Sequence, residues 1–410
     1  MFSHLTTRQR KLWRRLSTVA QNSAYSLLVP ALNIVVSSLV IRLNSSALWG
    51  GFVEMMVVLH LLTHIAGWGN KEYLLREFSR HPTQIREAWQ NSLVSRLLFY
   101  SLLSVIILLI PNGSVWAILW GLGIVLTQSF DVLIIYRKDF IFVIITELAT
   151  IGLLTLSIIT QGSNLSVAAL TTLFALVTLL KAVIFFWRFR SVLFPFRLHV
   201  DLSYFRLAGP FFVLGFSGIL ASRVDLYTVS MLLNEQNVAE YQVFINLMLY
   251  LQALSAYILL PYIKNLYRLP DASISKIAYR LFALGIVILI PAIVGAYGLL
   301  IALYDIHYSA HFMLLGGLFV LPIYGYIPLI HRLYKNDATR VVLISNLVGA
   351  GANFILNLLL LGVLGITGAL LASALVQWGM LVYYHNRMRR DDARSLPDLP
   401  TDDRPIITEA

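Results

Sequence analysis

Eight ionisable side chains fall inside long apolar stretches of this chain: Arg42, Glu54, Arg96, Asp131, Glu147, Lys181, Arg223 and Asp225. A charge at the centre of a bilayer costs ~2.5–3.5 kcal/mol on insertion scales, so such residues face a water-filled cavity or a partner. Arg96, Lys181 and Asp131 lie within a few residues of a span end, where long basic side chains reach out to the interface. Arg42 and Glu54 flank one turn and read either as an ion pair in one leaflet or as cavity lining. Arg223 and Asp225 are about two-thirds of the way across their span. At ~100° per residue they point roughly 200° apart, so on a regular helix they cannot pair with each other. Arg223 shares a face with Tyr227. Asp225 shares one with Gly218 and Ser222, a small-residue stripe that permits close helix contact. The competing reading is a buried ion pair between helices.

The neutral polar residues carry weaker signals. His60 and His64 are one turn apart and would suit a metal, but no Glu or Cys beside them completes a ligand set. A polar helical stripe is the simpler account, and no metal site is expected. Asn353 and Asn357, with Ser345 and Asn346 before them, form either a hydrogen-bonded seam between helices or the wall of a polar cavity. Asn246 and Gln252 read similarly. Trp49, Trp89, Trp116, Tyr262, Tyr267 and Tyr384 read as interfacial anchors. The chain has no cysteine, which excludes thiolate catalysis and Cys-based metal sites. It lacks a G-x-x-x-x-G-K-[ST] phosphate loop, an H-E-x-x-H helix and a G-x-S-x-G elbow. No catalytic residues and no cofactor are expected. Energy for any transport would come from an ion gradient, the membrane potential or the substrate gradient.

The elements that must position these residues follow from composition. The 410 residues are 58% hydrophobic and 12% charged, against about 45–50% and 25% in soluble domains. A soluble enzyme, a nucleic-acid binder and a disordered chain are excluded. An outer-membrane barrel is disfavoured because its strands alternate rather than run apolar. Twelve apolar segments emerge, near 24–43, 50–69, 92–110, 115–135, 140–160, 166–187, 207–233, 239–263, 278–303, 312–333, 341–361 and 366–385. The basic N-terminus before the first resembles a signal peptide, but the apolar run is too long, and it reads as a retained span. The polar stretch Lys71–Gln90 reads as an interfacial helix. Of the 31 Lys and Arg residues, 27 fall in the seven segments on one side of a twelve-span arrangement. The six opposing loops are short and contain none. Both termini are therefore expected in the cytoplasm. The net charge of +11 reflects this distribution and not a nucleic-acid partner.

The fold expected is an all-α integral membrane protein with about 12 transmembrane helices, in two six-helix halves around a central cavity. The boundaries are residues 1–187 for the first half, 188–206 for a basic linker, 207–386 for the second half and 387–410 for a disordered charged tail. Spans 1–2 and 7–8 share a layout of long helix, short turn and long return helix. Two halves of the same orientation imply a parallel repeat about an axis along the membrane normal.

Several stretches resemble one family. Asp225 in span 7 followed by Val238-Ala239-Glu240-Tyr241-Gln242-Val243 is similar to an Asp then Val-Gly-x-Tyr pattern, with Ala239 in place of the usual Gly. Asn353 and Asn357, then Gly365-Ile366-Thr367-Gly368-Ala369 and Ala372-Ser373, resemble an Asn-rich span 11 and the turn into span 12. Arg42-Leu43 before Gly50 resembles an Arg-Leu-Leu-Gly segment, from which Asn44-Ser45 depart. The pattern is that of the multidrug/oligosaccharidyl-lipid/polysaccharide exporter superfamily, and within it the Wzx-type O-antigen flippases. The resemblance implies a flippase of the bacterial inner membrane that moves a polyprenyl-diphosphate-linked oligosaccharide, for lipopolysaccharide or another surface polysaccharide, by alternating access. It also implies membrane lipid, a polysaccharide polymerase and a chain-length regulator as partners. An anionic diphosphate needs basic partners. Arg42, Lys181 and Arg223, with Asn357, are the candidate substrate-binding residues; Glu54 and Asp225 are the candidates for ion coupling. Two alternatives are a drug/cation antiporter of the same fold, which would want acids in its cavity, and a non-transporting membrane assembly protein.

Overall fold

The computed structural model describes residues 28, 30–259 and 262–395, and the regular structure among them is helical throughout. The helices are α1 (Pro30–Leu43), α2 (Ser46–Gly67), α3 (Asn70–Arg80), α4 (Ile85–Ile107), α5 (Val115–Arg137), α6 (Phe140–Gln161), α7 (Val167–Leu193), α8 (Ser203–Leu232), α9 (Glu235–Leu259), the short α10 (Ile263–Leu266), α11 (Asp271–Leu299), α12 (Ala310–Lys335), α13 (Thr339–Leu364) and α14 (Ile366–Ser395). Eleven are long and apolar enough to cross a membrane, and α1 is a shorter apolar helix. The basic N-terminal segment and the start of span 1 lie outside the described residues.

The packing repeats. In the first half α4 packs on α5, α5 on α7, α6 on α7 and α2 on α5; in the second half the corresponding pairs α11–α12, α12–α14, α13–α14 and α9–α12 are in contact. Helices α2 and α4–α7 thus pack in the same way as α9 and α11–α14. The lobes meet mainly through α2, which packs on α9 and α8.

The two ends of the bundle differ. At the end poor in basic residues the turns are tight, and five of the six following helices are capped by a short polar side chain. Ser45 accepts from Leu48 N, Ser114 from Ala117 N, Ser166 from Ala169 N and Ser309 from Phe312 N. Asn234 accepts from Asn237 N ahead of α9. Such caps satisfy amide donors that a helix start leaves free, and they let the chain reverse without a long loop. The basic end holds α3, the interlobe linker and the ion pairs. Arg188 reaches Asp139 at 2.7 Å across α7 and α6. Arg332, with a side chain 3% exposed, pairs with Asp271 at 2.9 Å and with Asp392, tying α12 to α11 and α14.

Three boundaries depart from the sequence reading. The Lys71–Gln90 stretch contains a helix, α3, but only to Arg80; α4 has already begun at Ile85. The charged segment from Arg387 continues α14 to Ser395 rather than starting a disordered tail, and Arg332 holds it through Asp392; residues 396–410 lie outside the description. The linker is shorter than 188–206, because α7 runs to Leu193 and α8 begins at Ser203. Side chains of α4 hold it. Arg86 donates to Phe194 O, Gln90 donates to Pro195 O and accepts from Arg197 N, and Ser95 accepts from Asp201 N. Extended backbone leaves amides and carbonyls unpaired, and these polar side chains satisfy them. Three aromatics read as interfacial anchors are instead interior. Trp49 and Trp89 are buried and donate to Gln242 Oε1 and Ser129 O, and Tyr384 is buried against Ser345. Trp116, Tyr262 and Tyr267 are exposed.

The Arg332 cluster makes a prediction. Arg332→Ala leaves Asp271 and Asp392 without their shared cation, although both acids keep partial contact with solvent. The expected loss is about 1–3 kcal/mol, read as a lower melting temperature of the purified protein in detergent. An unchanged melting temperature would show that the cluster does not hold α14 in place.

Candidate functional site

Between the lobes lies a cavity of about 570 Å³, walled by α1, α2, α5, α7, α8 and α9 and by Tyr304 at the end of the α11 chain. The sequence places it by close approach at both ends of α2. At the charge-poor end a Cβ on Gly50 would sit 1.8 Å from Glu235 O, so only glycine lets α2 and α9 touch backbone to backbone there. At the basic end Trp68 (φ 43) and Gly69 (φ 66) turn the chain from α2 into α3. A Cβ on Gly69 would meet Phe212 N at 2.5 Å. The Trp68 ring stacks on Phe212 at 4.1 Å, and its Nε1 donates to Phe205 O at 2.8 Å. The lobes therefore touch at both ends of α2, and the cavity lies between these contacts. On a third side, α1 meets the single π turn Leu300–Tyr304, where Tyr304 Oη is 2.7 Å from Ser37 Oγ.

The chemistry of the lining is distinctive. Among the described residues, Arg223 is the only Lys, Arg, Asp or Glu that lines it. It donates from Nη1 to Asn246 Oδ1 at 2.7 Å and makes no ion pair within the described residues. The rest of its five-donor fork has no acceptor among the described residues, which suits it to an external anion. The other polar lining residues are neutral or imidazole, among them Asn33, Thr63, Gln128, Gln242 and the pair His60 and His64. His64 stacks on Phe216 and His60 meets the edge of Trp120. Among the described residues no three His, Asp or Glu side chains converge as metal ligands would.

Asp225 lies two residues from Arg223 but points away from the cavity, into the second lobe. It is 2% exposed and accepts from Tyr241 Oη at 2.6 Å, Leu226 N at 2.8 Å and Ser373 Oγ at 3.1 Å. Ser373 is bonded to Asn353, and Asn357 Nδ2 donates to Asn353 Oδ1 at 2.8 Å. Asn357 Oδ1 is buried without a hydrogen-bond partner. The network joins α8, α9, α13 and α14 around one carboxylate that, among the described residues, no basic side chain neutralises in a direct ion pair.

The remaining candidates are placed elsewhere. Asn357 belongs to the Asp225 network and does not line the cavity. Lys181 is also absent from the cavity wall: it pairs with Glu147 between α7 and α6, inside the first lobe. Arg42 is exposed and caps the π turn, donating to Leu303 O at 2.9 Å and to Ala302 O. Those carbonyls end a helix and lack partners of their own. Arg42 does not pair with Glu54, which lies half-buried in the electrostatic reach of Glu235. Arg96 does not reach the interface. It is 1% exposed and donates to Ser92 and Ser129, with Nη1 unpartnered. Of the six site candidates, the cavity takes Arg223 and the buried network takes Asp225 and Asn357. Ser373 is the member of that network whose type gave least signal, because a lone serine in an apolar helix is common. Tyr241 stood in the quoted pattern without a role.

No family model matches the chain, and no curated protein matches it in sequence. Solved structures do match in shape. The lipid II flippase MurJ in an inward closed conformation superimposes with a TM-score of 0.65 at 14% identity, over 90% of this chain and 87% of that one. An inward-facing multidrug resistance MATE family transporter of the MOP superfamily gives 0.60 at 14% identity, over 92% and 99%. The chain has the two-lobe fold of these membrane transporters.

Proposed function

We propose that the protein is a flippase of the Wzx type, carrying a polyprenyl-diphosphate-linked oligosaccharide across the bacterial cytoplasmic membrane by alternating access. The observation that carries this reading is the cavity lining: among the described residues, one arginine, no carboxylate, and a wall of neutral hydrogen-bonding side chains and aromatic rings. An anionic head is attracted by Arg223 and meets no acid. Sugar hydroxyls find amide, hydroxyl and imidazole partners, and the isoprenoid tail stays in lipid. A cationic drug would meet the opposite electrostatics, so the antiporter alternative lacks the acid it needs in the cavity. That MurJ is named a lipid II flippase supports a lipid-linked cargo.

In this reading the basic end faces the cytoplasm, because retained positive charge marks that side. The lobes rock about the α2 contacts to expose the cavity to one side and then the other. Asp225 is the coupling residue. A buried carboxylate with three donors and, among the described residues, no ion-pair partner, beside an Asn357 oxygen with no partner there, supports the exchange of a proton or small cation. No catalysis and no cofactor are needed.

The test is a deletion strain with no redundant flippase. Surface polysaccharide should be depleted, and its lipid-linked repeat unit should accumulate on the cytoplasmic leaflet. Normal surface glycan in that strain would remove the proposal.

A further inference from the structure

A second concavity of about 570 Å³ lies outside the interlobe cavity, at the basic end between α11, α12 and α14. We propose that it binds one anionic phospholipid of the surrounding leaflet; the proposal does not depend on the transport reading. The concavity is layered. Its floor is apolar, made by Ala278 and Phe282 of α11, Leu329 of α12 and Leu381 of α14. Its rim is polar, with Tyr279, His385 and Arg389. Arg389 is two turns beyond Val382 along α14, about 10 Å, at the level where the charged run of α14 begins. The floor therefore lies at hydrocarbon depth and the rim at head-group depth. Tyr279 and Val382 are more than half exposed, so the groove faces the bilayer, where an acyl chain is the available apolar occupant.

The rim sets the sign of the head group. Arg389 is exposed and in no ion pair within the described residues. Asp392, the acid lining the groove, is tied to Arg332, so the rim is left with a net cation. Tyr279 Oη lies 3.3 Å from His385 Nε2, placing a hydroxyl and an imidazole beside the guanidinium as hydrogen-bonding groups. An arginine grips a phosphate with two parallel donors, and basic pockets between helices at a cytoplasmic surface bind anionic lipid heads.

The chain has no native cysteine, so one environment-sensitive fluorophore can be placed at Tyr383→Cys, beside the groove, in the full-length protein reconstituted in nanodiscs. Quenching by brominated phosphatidylglycerol should reach half-maximum at roughly fivefold lower mole fraction than quenching by brominated phosphatidylcholine, the effect of one basic residue near an anionic surface. Arg389→Gln should remove that preference, while Arg390→Gln, outside the groove, and Arg223→Ala, in the interlobe cavity, should keep it. Equal quenching by the two lipids overturns the proposal. So does a preference that survives Arg389→Gln, or one lost equally in Arg390→Gln, because either marks general surface charge and not a site.

Discussion

Arg223→Ala should abolish transport while the protein still inserts and accumulates. Among the described residues, Arg223 is the sole fixed charge on the cavity wall and donates to one neutral partner, so its removal takes away the electrostatic reason for an anionic head to enter. Hydrogen bonds to charged groups are worth about 1.5–3 kcal/mol, so loss of a bidentate grip should lower transport at least tenfold. Arg223→Lys keeps the charge but loses the planar fork, and should retain partial activity. Asp225→Asn should act differently. It leaves the cavity charge intact and removes the buried carboxylate, so transport should lose its dependence on the ion gradient. Because Arg223 and Asp225 have separate partners, the double variant Arg223→Ala/Asp225→Asn should not recover function. Surface glycan measured for single and double variants at matched expression decides the matter. Rescue in the double variant would mean that the two residues act as an ion pair.

The second large effect is expected from Gly50→Val. A Cβ at Gly50 would lie 1.8 Å from a backbone oxygen, where ordinary contact begins near 3.4 Å. Backbone cannot swing aside as a side chain can, so α2 and α9 must separate by more than an ångström. The change adds no charge, so membrane insertion should be unaffected. The seal at the charge-poor end should loosen and transport should fall to near zero. A cysteine at Ser222, on the cavity wall, should then react faster with an impermeant thiol reagent in intact cells than it does with Gly50 present. Gln236→Cys, on the first turn of α9, serves as the surface reference and should react in both backgrounds. If Gln236→Cys is unreactive, the assigned orientation is wrong. If Gly50→Val transports normally, with unchanged labelling of Ser222→Cys, the α2–α9 contact is not a seal that transport depends on.

The sequence by itself determined the membrane class, the run of about twelve apolar helices and the asymmetry of the two ends. These properties are summed along the chain: hydrophobicity over some twenty residues decides a span, and the placement of basic residues at span ends decides which end of the bundle is charged. It also determined that Arg223 and Asp225 look in different directions, because the angle between positions two apart is fixed by the helix itself. The helical period does not say which neighbour a face meets, and here only the tertiary structure decided. Lys181 and Arg223 are both basic residues within apolar spans, yet one faces Glu147 on α6 and the other faces the gap between lobes. Arg42 and Glu54 are close in sequence, yet the π turn brought in from more than two hundred residues away supplies carbonyls to Arg42 before any acid does. Asn357 had the chemistry of a cavity wall, and packing of α13 against α8 and α14 enclosed it beside Asp225. Trp49 and Trp89 had the composition of interfacial anchors, but each found a buried hydrogen-bond acceptor, Trp49 across the lobe contact on α9 and Trp89 within the first lobe. A polar group in a membrane protein takes a partner that the fold brings within about 3 Å, and that distance is set by helices remote in the chain.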